Sequence, residues 1–308
     1  MNTAAEFNIT YCAVLTTFNA EKTVVQALES VLAQSILPAE IIIVDDCSSD
    51  ATLKILESEF GRLPNIRIIV NQVNSGQSYS RNAAANLASA DVIIIFDDDD
   101  VSLPDRAKVH LQLHQDGSNI SYVSSIKEYS EMYQVSCNNE DRMLVRLEPT
   151  TLFKRLVFGR QSDVLGKIWI PASTSAIDRK YFLAIGGYDV QMRRLEDAEL
   201  VIRAAMKGCI SSWSSKVLVN RKSTHSDIKG GAIEMDFEKL LLMKYQDLLT
   251  KSEFKRALSL INVRRAYFSK DFLLLFRLTF LHPSLLFGGQ GRFFAFTKRI
   301  MHDRRQRG

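Results

Sequence analysis

Asp91-Val92-Ile93-Ile94-Ile95-Phe96-Asp97-Asp98-Asp99-Asp100 is the stretch on which the reading of the chain turns. Its unbroken apolar run, with no polar alternation, predicts a strand buried on both faces of a sheet. A strand that runs straight into four carboxylates must present them at the sheet's carboxyl edge, where open α/β sheets bind ligands. Their mutual repulsion needs water or a cation to relieve it. Oxygen ligands at alternate positions suit Mg²⁺ or Mn²⁺, which keep coordination places open for phosphates. Alone, the block also reads as a solvated acidic turn or a helix N-terminus.

The sequence upstream supplies the context. Tyr11 to Phe18, Glu40 to Val44 and Ile66 to Val70 are β-branched or apolar runs that predict three more strands. Between them lie helical stretches from about Lys22 to Gln34, from Ser48-Ser49-Asp50 to Phe60, and from Gln77 to Ala88. Strand and helix thus alternate four times within the first hundred residues, the mark of a mostly parallel sheet built from βαβ units. Right-handed crossovers then place every strand end on one edge, so Thr16-Thr17, Asp45-Asp46, the Arg81-bearing helix and the Asp97 block should converge. No GxGxxG follows the first strand, which argues against a dinucleotide-binding domain, and no GxxxxGK[ST] occurs.

Downstream, a helix is expected from Leu103-Pro104 to Gln115, carrying His110 and His114 one turn apart. Without the Glu of HExxH or a third ligand, these read as a surface or half-buried pair and not a metal site. Ser121 to Tyr133 reads as one or two strands, Asn138 to Asp141 as a loop, and Lys167 to Ile177 as a strand leading into a short helix over Arg179 to Ala184. Gly186-Gly187-Tyr188-Asp189 is a turn, and a helix starts near Leu195-Glu196-Asp197 and stops at Lys207-Gly208. Acids at that helix start are favoured by the helix dipole alone. A strand over Ile210 to Val219 follows, then helical stretches over Met235 to Leu249 and Glu253 to Phe268.

Composition narrows the function classes. With 308 residues, 46% hydrophobic and 24% charged, the chain is globular and long enough for a sizeable core. Cys12, Cys47, Cys137 and Cys209 form no CxxC or Cys/His spacing, so a reducing cytosol is expected, with neither a disulfide scaffold nor a zinc site. Residues 1 to 10 have no basic and apolar leader pattern, so no signal peptide is expected. The 39 basic residues are unevenly placed: residues 1 to 250 carry 26 Lys and Arg against 32 Asp and Glu, and residues 251 to 308 carry 13 against 3. Phe272 to Phe287 is strongly apolar but broken by Arg277, His282 and Pro283, and it falls short of the ~20 residues that span a bilayer. This basic, Phe/Leu-rich tail reads as a peripheral anchor on anionic lipid at the inner face of a membrane, or as a helical appendage packed on the domain or on a dimer partner. An acidic body and few aromatic residues among the tail charges argue against nucleic acid as the partner.

The order of the motifs resembles the family-two inverting glycosyltransferases of the GT-A fold, over roughly residues 9 to 228. Five stretches carry the resemblance: Leu15 to Asn19, Ile43 to Asp50, Asn74-Ser75-Gly76 with Ser80-Arg81-Asn82, Phe96 to Asp100 with Leu103-Pro104, and Gly186 to Asp189 followed by Glu196-Asp197. It implies an α/β domain over residues 1 to 228, whose nucleotide-binding half is about 1 to 100 and whose acceptor half is 101 to 228, with a helical, basic extension over 229 to 308. It also implies a nucleotide-sugar donor, UDP-linked, and a glycan or lipid-linked acceptor in cell-surface polysaccharide synthesis. By the resemblance, Thr17, Asp45 and Asp46 hold the base and ribose, and Arg81 lies near the diphosphate. Asp97 and Asp99 are the DxD acids, Asp99 the direct ligand of Mn²⁺ or Mg²⁺, with His225 as a further candidate near the metal. Asp197, beside Glu196, takes the acceptor's proton. Thr16 stands where the family often has Pro, and Cys47 where Gly is common. A nucleotidyltransferase acting on sugar phosphates would also use a doubly wound sheet and paired acids, but it would want a Gly- and Lys/Arg-rich loop where Thr16 to Glu21 has none.

Overall fold

A computed structural model describes residues 7–127, 142–158, 171–221, 232–271, 273–275 and 277. Four strands, β1 (Tyr11–Thr17), β2 (Glu40–Asp45), β3 (Ile66–Val70) and β4 (Val92–Asp97), alternate with α1 (Val24–Leu32), α2 (Thr52–Glu59) and α3 (Gln77–Leu87). They lie parallel in the order β3-β2-β1-β4. β1, β2 and β4 are buried on both faces, as unbroken apolar runs require. Tyr11, Ala13, Leu15, Ile41, Ile43, Val92, Ile94 and Phe96 pack on one face against α1 residues Val24, Ala27, Leu28 and Val31. Small residues Ala84 and Ala85 of α3 are buried as well, which lets that helix lie close to the sheet.

Beyond β4 the sheet becomes mixed. The remaining elements are β5 (Val101–Ser102), α4 (Arg106–Gln115), β6 (Ile120–Lys127), β7 (Arg142–Arg146), α5 (Pro149–Phe158), β8 (Ser175–Asp178), α6 (Arg179–Ala184), α7 (Glu196–Met206) and β9 (Ile210–Arg221). β8 pairs antiparallel with β4 and with β6, while β6 and β9 run parallel, and β5 and β7 both pair antiparallel with β9. The strand expected over Lys167 to Ile177 starts later: Ala172–Thr174 is a 3-10 turn, and pairing begins at Ser175. Thr174 N donates to Pro171 O, 3.1 Å, closing that turn, and Ala172 N is taken by the side chain of Asp197. His110 departs from expectation too, since it is fully buried with Nδ1 2.7 Å from Ser121 Oγ, and burial holds it well below the ordinary imidazole range.

The chain divides into two units, residues 1–147 with 167–225, and residues 148–166 with 226–308. The first holds the sheet. Within the second lie α5, α8 (Ala232–Lys244) and α9 (Lys251–Phe268). Phe153 and Tyr245 meet edge to face at 5.8 Å, Lys154 pairs with Glu253 at 2.9 Å, and Arg264 and Arg265 of α9 pair with Glu238 and Asp236 of α8. Thr250 and Glu253 close a capping box at the start of α9. No helix among the described residues is long and apolar enough to cross a membrane.

Candidate active site

The strand register assembles the site. Thr17 lies opposite Asp45, Thr16 opposite Asp97, and Asp45 opposite Val70, so the ends of four parallel strands stand side by side. Asp45 is fully buried and its Oδ2 accepts from Ser48 N at 2.9 Å, whereas Oδ1 has no hydrogen-bond partner among the described residues. Asp46 is engaged structurally: it accepts from Asn71 Nδ2 (2.7 Å), Ser75 N (2.9 Å) and Gly76 N (2.7 Å), which pins the loop leading into α3. Between the two elements Cys47 takes a left-handed backbone, φ 66°, the conformation that explains a preference for glycine there.

The acidic block turns off β4 as a cluster. Asp97, Asp99 and Asp100 each offer an oxygen, and the three lie within 4.8 Å of one another. Asp98 points elsewhere, accepting from Phe18 N at 3.1 Å. Burial, reinforced by Asp97 and Asp99, pushes Asp100 up to about 6, and burial likewise lifts Asp98 to about 6. Arg221 Nε, 3.5 Å from Asp100 Oδ2, is the cation that meets the block from β9. Three hard oxygen donors crowded this closely make a donor set that fits Mg²⁺ or Mn²⁺. The sequence pointed to Asp97 and Asp99; the fold adds Asp100, whose signal was its place in the same run.

Arg81 ties this block to the start of α7. Its guanidinium is 1% exposed, with Nη2 3.0 Å from Asp97 Oδ1 and 3.1 Å from Gln77 Oε1, and Nη1 3.6 Å from both Glu196 Oε1 and Asp197 Oδ1. The Tyr188 ring lies 5.4 Å below its centre. Burial alone would make Arg81 easier to deprotonate, but Tyr188, Asp97, Asp197 and Glu196 together outweigh it and keep the cation charged. The sequence assigned Tyr188 and Arg221 no role, and neither residue type nor spacing marks them.

Asp197 is not a helix cap in this structure. Its Oδ2 accepts from Ala172 N, 3.0 Å, in the 3-10 turn before β8, and Oδ1 has no hydrogen-bond partner among the described residues. Burial first, then Glu196, push its carboxyl up to about 7 against the pull of Arg81. Leu195, just before it, is held at φ 61°, a left-handed conformation that costs a side-chain-bearing residue ~1 kcal/mol and steers the chain into the helix.

The turn beneath is clamped from two sides. Asn82 of α3 donates to Tyr188 O, 2.8 Å, and accepts from Tyr188 N, 2.7 Å, and a Cβ at Gly187 would stand 2.5 Å from Asn82 Oδ1. Arg203 of α7 donates to Ile185 O and Gly187 O while paired with the fully buried Glu199 at 2.8 Å. His225 lies outside the described residues.

Residues 12–177, more than half of the chain, match the family model "Glycosyl transferase family 2". The chain belongs to this family. An uncharacterised glycosyltransferase of Haemophilus influenzae is 27% identical over 195 residues, 62% of this chain and 60% of the relative. The Escherichia coli UDP-Glc:α-D-GlcNAc-diphosphoundecaprenol β-1,3-glucosyltransferase WfgD is 31% identical over 111 residues, 36% of this chain and 42% of the relative. The chain therefore spans less than two thirds of either relative's length. Among solved structures, Staphylococcus aureus TarS 1–349 in complex with UDP-GlcNAc superposes with a TM-score of 0.61 at 18% identity, covering 84% of this chain and 73% of that one. That likeness establishes the GT-A fold for this member of family 2.

Proposed function

We infer that this family 2 chain is an inverting glycosyltransferase that moves a sugar from a UDP-linked donor to a hydroxyl of a glycan or lipid-linked acceptor in cell-surface polysaccharide synthesis. One observation carries the reading: a buried Arg81 joins Asp97, at the end of the parallel sheet, to Glu196 and Asp197 on a different element. An acidic cluster suited to a phosphate-bound cation and a carboxylate suited to accept a proton are thus joined through one buried cation. The names of WfgD and of the TarS complex support a UDP-sugar and, for WfgD, a diphospholipid acceptor.

In this reading the free Oδ1 of Asp45 accepts an N–H of the base, beside Thr17, while Asp46 holds the ribose-side loop in place. Asp197 Oδ1 takes the acceptor hydroxyl's proton as that oxygen bonds to the anomeric carbon, and the bond from that carbon to the diphosphate oxygen breaks on the opposite face. With one base and no second carboxylate acting as nucleophile, the anomeric configuration inverts. Arg81 fixes Asp97 and Asp197 relative to each other and remains cationic beneath the developing charge. A Mn²⁺ or Mg²⁺ held by Asp97, Asp99 and Asp100 supplies Lewis-acid stabilisation of the leaving diphosphate when bound.

Asp99→Ala tests the donor half. The variant is expected to keep its fold, because removing one of several like charges relieves repulsion, and to lose Mn²⁺-dependent thermal stabilisation by UDP. Undiminished stabilisation would remove the acidic cluster from the donor site.

The transferase domain is taken as residues 1 to 228, and the extension over 229 to 308 as its cytoplasmic-face membrane contact. Ile233, Leu240, Met243, Leu273 and Leu274 are exposed apolar residues of the second unit, in a chain whose last 58 residues carry 13 basic against 3 acidic side chains. Each basic residue near an anionic surface is worth about 1 kcal/mol, and apolar insertion adds a part that salt does not remove. Flotation with anionic vesicles should recover the full chain and leave a chain ending at Thr250 behind; equal recovery would refute the membrane contact.

A further inference from the structure

Several arginines of the sheet-bearing unit have partners. Arg81 is engaged by Asp97, Arg203 by Glu199, Arg221 by Asp100, and Arg106 by Ile95 O and Ser102 Oγ. Arg193 and Arg194 differ. Neither forms an ion pair with a carboxylate among the described residues, although Asp189, Glu196 and Asp197 are close in sequence; Arg193 is exposed and Arg194 half-buried.

The loop that carries them is fixed. Met192, fully buried, is held through its carbonyl by Ser78 Oγ at 3.2 Å and through its N–H by Asp189 O at 3.0 Å, and Gln191 N donates to Asp189 Oδ1 at 2.9 Å. At the other end Leu195 is locked in its left-handed turn into α7. Two consecutive guanidinium groups on a held loop offer charge-assisted N–H bonds of the kind with which arginine binds a phosphate or diphosphate.

Position assigns that anion to one substrate. The loop runs directly into Glu196 and Asp197, and Arg194 acts electrostatically on Glu196, while the acidic block at the end of β4 meets Arg221 instead. Inversion requires the base and the leaving diphosphate to stand on opposite faces of the reacting carbon; Arg81, though 3.6 Å from Asp197, is tied to Asp97 of the acidic block, whereas Arg193 and Arg194 lead into the base with no ion pair to that block among the described residues. We propose that Arg193 and Arg194 bind a phosphate or diphosphate ester carried by the acceptor, so that this chain selects an anionic, phosphate-linked acceptor over a neutral glycan. The inference rests on the transferase reading above, with Asp197 as the base.

Binding by the full chain tests it without turnover. Octyl diphosphate and neutral octyl glucoside are titrated calorimetrically into wild type, Arg193→Gln and Arg193→Gln/Arg194→Gln, with and without saturating UDP and Mn²⁺. Wild type should prefer the diphosphate; the exposed single variant should weaken it about 10-fold and the double variant about 30-fold or more, a range set by charge-assisted hydrogen bonds. The affinity for UDP should stay within about twofold of wild type. Equal diphosphate binding by wild type and double variant, or no preference in wild type, overturns the proposal. A parallel loss of UDP affinity overturns it too, because the pair would then serve the donor. Diphosphate bound through these arginines by a chain that ignored UDP would strike the donor reading and leave the anion site standing.

Discussion

Asp197→Asn is expected to lower kcat about 10²- to 10⁴-fold while leaving UDP affinity near wild type, because it removes the proposed proton acceptor and little else. The asparagine carbonyl can still accept from Ala172 N, the bond that orients the side chain at 3.0 Å. Wild-type kcat/KM should fall as pH drops through about 7, where burial and the Glu196 charge have pushed the Asp197 carboxyl, since only the carboxylate can take the proton. The stability effect has the opposite sense. A carboxyl raised from 3.8 to about 7 binds its proton more tightly in the folded chain, so its contribution to stability is present below the unfolded value and is lost as pH rises to about 7. The Asn variant should lack both the acid limb of the rate and this part of the stability profile. Normal turnover by Asp197→Asn would make the carboxylate a helix-terminal charge, stabilising through the dipole alone.

Arg81→Met is expected to destabilise the fold by about 3–5 kcal/mol, the range for removing one partner of a buried ion pair. The methionine fills much of the volume and keeps contact with Tyr188, so the loss comes from the carboxylates left behind. Asp97 would lose a 3.0 Å hydrogen bond, and Glu196 and Asp197 the cation at 3.6 Å, in a region where burial already opposes their ionisation. Arg81→Lys retains the charge but reaches only part of the fork and should fall between the two. Guanidinium unfolding at pH 8 measures the change. A loss below about 1 kcal/mol would mean that the three carboxylates do not depend on the guanidinium. The resemblance puts this residue near the diphosphate; in the fold it is 1% exposed and joins the carboxylates of two elements.

The parallel half of the fold was legible because its signals are local. Runs such as Ile41-Ile42-Ile43-Val44 and Val92-Ile93-Ile94-Ile95 can only be strands covered on both faces, and the helices between them force parallel pairing. From that pairing alone Thr17, Asp45 and Asp97 had to meet at one edge, and they do, in registers of adjacent strands. The second half was harder to read because its elements depend on distant partners. α5 was not foreseen, and Ala172–Thr174 turns where an extended run was expected, its Ala172 amide answering a side chain 25 residues away. His110 reads from sequence as one of a surface or half-buried pair, whereas it is fully buried, with Nδ1 bonded to Ser121 Oγ.

What the sequence by itself determined is which acids end which strands, and therefore that a polar site stands at the carboxyl edge of a parallel sheet. Only the tertiary structure decided what each acid touches there. Asp46 is held by three donors from the loop between β3 and α3, Asp100 joins Asp97 and Asp99, and Asp197 keeps one oxygen clear of hydrogen bonds while Ala172 holds the other. The physical reason is that strand identity follows from periodicity along a few residues, whereas a carboxylate's charge and reach are set by burial and by cations and amides brought from elsewhere in the chain.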